Sequence, residues 1–239
     1  MRFLTLAITT LGCLLLSSCF DIREEIWIHA DGSGRGEFDY SIPASALALV
    51  GGEQGLRTKV LSIIESEPDI QLDEFRLTTS GDDVIIKLKV SVGSMLSLID
   101  LQNSAAVKNL PDSASGFIGS FEVGIKGLSV DFRRHVDLKN SLGIGALAIS
   151  SNQRKARRLN YTIHLPNVAT RHNATKTADQ GRTLIWEHSL GEALSSPLDT
   201  DFQMRIPIPW WAYALFALCA ALFAWVLSRV WRRRFRPKS

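Results

Sequence analysis

The feature that most constrains the fold of this 239-residue chain is a run without charged residues, Trp210–Ser228, which is directly followed by arginines. A helix needs about 20 predominantly apolar residues to cross the hydrocarbon core of a bilayer. Tryptophans stand at both ends of the run, as is typical of membrane interfaces, and basic residues collect on the cytoplasmic side of spanning helices. The sequence therefore predicts a transmembrane helix over residues 207–229 and a basic cytoplasmic tail over residues 230–239.

A second apolar segment lies at the N-terminus, where Arg2 precedes the run Phe3–Leu16, and two serines and Cys19 follow it. A positive residue, an apolar region and small residues before a cleavage site are the signs of a secretory signal peptide. The order Leu-Ser-Ser-Cys resembles the bacterial lipobox, in which the cysteine is diacylated and becomes the mature N-terminus. We therefore predict a lipoprotein signal peptide over residues 1–18 and lipidation of Cys19. An uncleaved signal anchor is the alternative.

The two anchors together predict a location in the bacterial inner (cytoplasmic) membrane, with an extracytoplasmic ectodomain and a cytoplasmic C-terminal tail. All 24 acidic residues but only 20 of the 27 basic residues lie between the terminal segments, so the ectodomain is net negative. A negative domain argues against nucleic acid as a partner. The ectodomain has no cysteine after Cys19, which excludes a disulfide framework and a thiolate metal site.

The ectodomain has the pattern of an α+β fold, with an antiparallel β-sheet and two helices. Alternating apolar residues predict one hairpin that turns at Asp31–Gly34 and another that turns at Ser80–Asp83. One helix is predicted within Pro43–Glu65, and a second is predicted to begin at Ser94 and to end at Pro111. Further strands are predicted around residues 117–125, 128–138, 159–165, 184–188 and 202–206.

A connector rich in Gly, Ser and Asn, residues 139–153, interrupts this pattern. It predicts a division of the ectodomain into an α+β part, residues 19–140, and a β-rich part, residues 141–206. The connector also carries an apolar patch, Leu142–Ile149. A core segment, a pocket lid and a membrane-touching loop are all consistent with that patch.

No motif indicates catalysis or metal binding. The histidines lack the spacing of metal ligands, and neither a Gly-x-Ser-x-Gly elbow nor a Walker loop is present. The series Gly32-x-Gly34-x-Gly36 would need a following helix to bind a dinucleotide, whereas a strand follows it, which favours a hairpin turn. We therefore predict no catalytic residue, no metal ligand and no cofactor, and the sequence identifies no ligand-binding residue.

Two basic clusters, Arg133–His135 and Arg154–Arg158, are the strongest charge features of the ectodomain. Basic residues on a tethered domain can face anionic lipid headgroups. Charged residues also protect strand edges against aggregation, and we favour this second interpretation.

Taken in order, these features resemble the LppM-type bacterial lipoproteins. The segments that carry the resemblance are Cys19, Glu25–Gly34, Tyr161–Pro166, Asn173, Gly181, Leu184–Trp186 and the C-terminal helix with its basic tail. The resemblance implies an extracytoplasmic α+β domain with a hydrophobic cavity suited to lipid or glycolipid, and a role at the cell envelope. It implies no catalytic residues.

We therefore expect a membrane-anchored lipoprotein that is not an enzyme and that binds a lipid, a glycolipid or another envelope component. Its partners would be the membrane, a lipid ligand and an envelope protein. A structural or scaffolding subunit of a membrane protein complex is the alternative function. An enzyme would require a polar cleft with convergent carboxylates or histidines.

Overall fold

The structure is a computed structural model. It describes residues 21–44, 47, 51–65, 67–81, 83–95, 119–139, 151–208 and 210–234. The predicted signal peptide, Cys19, the apolar patch Leu142–Ile149 and the body of the helix predicted after Ser94 lie outside these residues. The chain divides into two compact units, residues 1–205 and residues 206–239.

The first unit contains eleven described strands. They are β1 (Asp21–Ile28), β2 (Gly34–Pro43), β3 (Ile70–Ser80), β4 (Asp83–Val92), β5 (Ser120–Lys126), β6 (Ser129–Val136), β7 (Arg158–His164), β8 (Ala169–His172), β9 (Lys176–Ala178), β10 (Thr183–Ser189) and β11 (Leu198–Arg205). A large sheet has the strand order β3-β4-β2-β1-β7-β10-β9, and a small sheet has the order β5-β6-β11-β8. Both sheets combine strands from before and after residue 140.

Four helices accompany the strands within the described residues. They are α1 (Gly52–Glu65), α2 (Ser151–Ala156), α3 (Leu190–Ser195) and α4 (Trp210–Arg234). The short helix α3 begins with a capping box, in which Ser189 and Glu192 each accept a hydrogen bond from the other's backbone N–H. Its Leu190, Ala193 and Leu194 are buried, so this one helix turn contributes to the core.

The structure confirms the predicted α+β class with mostly antiparallel strands. Both predicted hairpins are present, because β1 pairs with β2 and β3 pairs with β4 in antiparallel register. The pair β1–β7 differs from the expected pattern, since it is parallel. More than 100 residues separate these two strands in the sequence, and alternation within a strand does not specify the direction of its neighbour.

Glycine makes the first hairpin turn possible. Gly32 has a φ of +87°, which L side chains rarely adopt. The Asp31 carboxylate accepts hydrogen bonds from the backbone N–H and the hydroxyl of Ser33, at 3.0 Å and 2.7 Å. These bonds lower the pKa of Asp31. Gly32 therefore lies in the hairpin turn, as the sequence indicated, while Gly34 and Gly36 belong to the strand β2 that follows it.

The hydrophobic core lies between the two sheets in two clusters. One cluster is centred on Ile22, Val136, Leu159 and Leu190, with Leu198 packed against it. The other cluster contains Ile163, Leu184, Trp186, Phe202 and Met204, with Ile26 and Ile28 packed against it. Residues of β1 that alternate along the strand thus face the small sheet, as period-two patterning requires.

The second unit contains helix α4. Its segment Trp211–Arg229 has a mean hydropathy of 1.9, and none of it is buried within the protein. By length and composition the segment can cross a membrane. Its apolar side chains are among the most exposed of the described residues, with Phe216 at 77%.

Candidate functional site

A buried ion pair between the two sheets is the most unusual chemical feature of the first unit. Glu24 lies on β1 between Ile22 and Ile26, so the alternation of the strand turns its side chain toward the core. Arg134 lies on β6, opposite Thr200 of β11. Glu24 is only 5% exposed and Arg134 only 7%. Charged residues are almost never buried to this degree unless they are paired.

The pair is bidentate and has a third member. Nη1 of Arg134 donates to Oε2 of Glu24 and Nη2 donates to Oε1, the latter at 3.3 Å. The Tyr40 hydroxyl donates to the same Oε1 at 2.9 Å. Two parallel N–H donors on one carboxylate fix the geometry as well as the charge. The ion pair therefore connects β1 and β2 of the large sheet to β6 of the small sheet.

Aromatic rings enclose the guanidinium. Its central carbon lies 4.9 Å from the ring centre of Tyr161 and 5.4 Å from that of Phe121. Burial alone would lower the pKa of the Arg134 guanidinium, but the charge and hydrogen bond of Glu24, together with the nearby Tyr161 and Tyr40, outweigh this effect and raise the pKa above its ordinary value. The cation is thus permanent.

The two tyrosines beside the pair differ in their hydrogen bonding. Burial and the adjacent Glu24 carboxylate raise the pKa of Tyr40 well above its ordinary value. Burial also raises the pKa of Tyr161 to about 12, although Arg134 acts in the opposite direction. The Tyr161 hydroxyl is buried without a hydrogen-bond partner of acceptable geometry among the described residues. Tyr40 therefore supports the ion pair, whereas Tyr161 contributes chiefly its ring.

A cavity of about 50 Å³ adjoins the ion pair. Besides Glu24 and Arg134, its lining includes Ile22, Val136, Leu159, Tyr161, Trp186 and Leu198. Pockets that bind drug-sized ligands measure about 300–1,000 Å³. The cavity has room for a few water molecules, but it is too small to enclose an acyl chain.

A second polar arrangement lies on the opposite face of the large sheet. Nε2 of His164 is 2.8 Å from Oε1 of Glu25, and its Nδ1 is 3.1 Å from Oγ1 of Thr183. The Thr183 hydroxyl donates to Asp179 at 2.5 Å. The His164 ring also stacks on Trp27, with ring centres 4.9 Å apart.

This chain of hydrogen bonds has the residue types of a nucleophile and a base, but not their arrangement. A nucleophilic hydroxyl must give its proton to the histidine and be reachable by substrate. The Thr183 proton is directed to Asp179 instead, and Thr183 is only 5% exposed. The arrangement therefore holds β1, β7 and β10 together and does not present a nucleophile.

The cluster Arg133–His135 was predicted to protect an edge strand. Its strand β6 is not an edge strand, because it lies between β5 and β11 in the small sheet. The alternation of the strand separates its members. Arg134 faces inward to Glu24, while Arg133 lies 3.5 Å from Glu122 and His135 lies 2.7 Å from Asp199 on the outer face. Three consecutive basic residues thus include one buried guanidinium and two side chains that form surface pairs.

The other predicted residues have different outcomes. Cys19 lies outside the described residues, so its lipidation stays a prediction. Arg157 of the second basic cluster is 3.3 Å from Asp21, at the start of β1. Within the described residues, no group of three or more His, Cys, Asp or Glu side chains is placed to hold a metal ion.

Sequence reasoning missed the ion pair, although one signal was present. Glu24 occupies an inward position in the alternating series Ile22, Glu24, Ile26, which places a carboxylate where an apolar residue is expected. Its partner could not be identified in this way, because Arg134 lies 110 residues further along the chain.

Comparisons with known proteins give few matches. No protein-family model matches the sequence, and no curated protein matches it. Among solved structures, the chain is similar to the NMR structure of the folded domain of LppM from Mycobacterium tuberculosis. The two share 15% sequence identity and a TM-score of 0.48 over 80% of this chain and 91% of that one. A similarity of this degree assigns neither a ligand nor an activity to this chain.

Proposed function

We propose that this chain is a membrane-anchored extracytoplasmic lipoprotein that binds an envelope component on its surface and catalyses no reaction. The observation that carries the proposal is helix α4, whose segment Trp211–Arg229 is apolar and entirely unburied. An exposed apolar helix of this length is unstable in water and stable in a bilayer. The basic tail after it favours a cytoplasmic C-terminus, and the predicted lipid on Cys19 would add a second anchor.

Surface binding is supported by the size of the cavity. The space beside Glu24 and Arg134 is about 50 Å³, far below the volume of sites that enclose small molecules. The ion pair and the hydrogen-bonded chain of His164 connect strands and leave no polar group of theirs directed at a substrate. A scaffolding role in a membrane protein complex is therefore the form of the proposal that the geometry supports best.

The anchors are tested with three variants of the full chain expressed in a bacterium. Cys19→Ala removes the predicted lipid, and Leu218→Arg with Leu222→Arg places two charges in the span, each unfavourable by about 2.5–3.5 kcal/mol at a helix centre. We expect Cys19→Ala to lose palmitate labelling and to stay in the membrane fraction. Cys19→Ala alone leaves the apolar segment before Cys19 uncleaved, so release needs the two arginine substitutions together with a cleavable signal peptide without a lipobox in place of residues 1–19. This combined variant should move into the soluble fraction.

Two results would contradict this proposal. Palmitate labelling that persists in Cys19→Ala would remove the lipobox assignment. Retention of the combined variant in the membrane after alkaline carbonate washing would show that neither proposed anchor is needed.

The surface-binding part has a separate test. Chemical cross-linking of the full chain in cells, followed by mass spectrometry, should recover one recurrent envelope protein, and native mass spectrometry of the detergent-purified chain should find no enclosed lipid. A stoichiometric lipid that survives detergent exchange would favour the lipid-binding alternative instead.

A further inference from the structure

We propose that one end of the small sheet, which we call the apolar rim, contacts the lipid bilayer through Ile125, Leu128 and Val168. The inference rests on the proposed membrane anchor and adds a lipid-contacting surface on the ectodomain itself. Among the large apolar side chains described in residues 21–205, these three are the exposed ones, at 51%, 56% and 46%.

Sheet topology brings the three residues to the same end. β5 ends at Lys126 where β6 begins at Ser129, and Ser129 pairs with Arg205, the last residue of β11. β8 begins at the same end, because Ala169 pairs with Met204. Val168 directly precedes β8, so it lies at the end where Ile125 and Leu128 lie.

The hairpin between β5 and β6 presents its apolar residue at the outermost position. Only Gly127 and Leu128 connect the two strands, and Gly127 has a φ of +60°. Such two-residue turns normally carry Gly, Asn, Asp or Ser. Gly127 meets the backbone requirement of the turn, so the turn itself does not call for Leu128. Together with Ile125 and Val168, Leu128 gives this end of the sheet three exposed apolar side chains.

The connection to helix α4 indicates which partner this is. Arg205 ends β11 and Trp210 begins α4, so only four residues intervene. Five Cα–Cα steps span at most about 18 Å when fully extended. The end of the sheet that carries the apolar rim is therefore tethered close to the point where the chain enters the bilayer.

The charges at this end fit a bilayer surface as well. Lys126 and Arg205 flank the hairpin tip and are both exposed. Basic side chains next to apolar ones suit the headgroup layer, where long cationic side chains reach anionic lipids while apolar neighbours enter the acyl region. The lipid bilayer is therefore the partner that these side chains fit.

The experiment places a benzophenone photo-cross-linking amino acid at single positions of the chain, with a cleavable signal peptide without a lipobox in place of residues 1–19. This background is needed because a lipid on Cys19, or a signal peptide left uncleaved, would hold the start of β1 at the membrane. Ile22 near that start packs beside Leu198, which lies at the end of β11 opposite the apolar rim. The chain is reconstituted in nanodiscs of equal phosphatidylethanolamine and phosphatidylglycerol. Leu128 is the test position, and Leu222 in the span is the positive control. Ser80, at the tip of the β3–β4 hairpin, is the matched negative control.

We expect phospholipid adducts at Leu128, detected by mass spectrometry, at a yield several-fold above that at Ser80. A yield at Leu128 equal to that at Ser80, with strong adducts at Leu222, would overturn the apolar rim and leave the anchor intact. Absence of adducts at Leu222 would overturn the proposed anchor, and the apolar rim with it.

Discussion

Two neighbouring glutamates on β1 illustrate how differently the two faces of the large sheet use charge. Glu24 faces the small sheet, where its carboxylate is buried and accepts hydrogen bonds from Arg134 and Tyr40. Glu25 faces outward, where its carboxylate meets His164 and Arg23 at the surface. The side chain of Glu25 remains 23% exposed.

The difference shows that the environment, not the residue type, sets the contribution of a charge. Water solvates an outer-face carboxylate in both the folded and the unfolded state, so its ion pairs contribute little. The buried carboxylate has lost that solvation and depends on its partners entirely. Among the described residues, the inner face therefore contains one critical ion pair, while the outer face contains several weak ones, such as Lys89 with Glu37 at 3.4 Å.

The largest effect is expected for Glu24→Gln. This substitution keeps the shape and leaves the permanent charge of Arg134 buried without a carboxylate. We expect the free energy of unfolding to fall by about 3–5 kcal/mol, measured by urea denaturation of the full chain in detergent. The double variant Glu24→Leu/Arg134→Met, which removes both charges, should recover most of the loss. A double variant as unstable as Glu24→Gln would show that the charge is not the cause.

The two tyrosines beside the ion pair provide the next comparison. Tyr40→Phe removes a hydrogen bond to a charged carboxylate and should lower the free energy of unfolding by about 1.5–3 kcal/mol. Tyr161→Phe removes a hydroxyl that has no hydrogen-bond partner of acceptable geometry among the described residues, so stability should be unchanged or higher. Equal losses in the two variants would mean that Tyr161 also makes a bond in solution.

Alkaline pH should act through both buried tyrosines, because burial raises the pKa of Tyr40 well above its ordinary value and that of Tyr161 from 10.0 to about 12. Between pH 10 and 12 the unfolded chain loses the Tyr161 phenol proton and the folded chain keeps it. The contribution of Tyr161 to stability is thus fully present below pH 10 and falls as the pH rises, by about 1.4 kcal/mol per pH unit. Urea denaturation at several pH values should show a shallower decline for Tyr161→Phe than for the unsubstituted chain. Identical slopes would contradict a raised pKa at Tyr161.

Local patterns predicted the local part of the fold. Alternation and turn chemistry identified both hairpins, because the strands of a hairpin are adjacent in sequence and glycine marks the turn. The parallel pairing of β1 with β7 and the small strands β8 and β9 were not predicted. Their positions depend on contacts between distant segments, and a strand of three or four residues is too short to show periodicity.

The candidate site also contains residues that local sequence identified and residues that it did not. Asn173 and Trp186 are among the residues that carry the family resemblance, and in the structure they connect the two sheets. Oδ1 of Asn173 accepts a hydrogen bond from the Trp186 indole at 2.7 Å and from the Asp201 backbone at 2.9 Å, which links the two sheets. Local sequence was enough to single out residues such as these. The pairing of Glu24 with Arg134 became visible only from the way the two sheets pack.

The smallest effect is expected for Glu25→Gln, the outward-facing counterpart of Glu24→Gln. The glutamine carbonyl can still accept the hydrogen bond from His164, and both side chains are partly solvated, at 23% and 28% exposure. We expect the free energy of unfolding to change by less than about 1 kcal/mol. This difference between Glu25→Gln and the unsubstituted chain should become smaller at high salt. A loss equal to that of Glu24→Gln would mean that the outer face is covered in the folded protein. Because the two positions are adjacent and receive the same substitution, the difference between them compares a buried carboxylate and its partners with a partly solvated one.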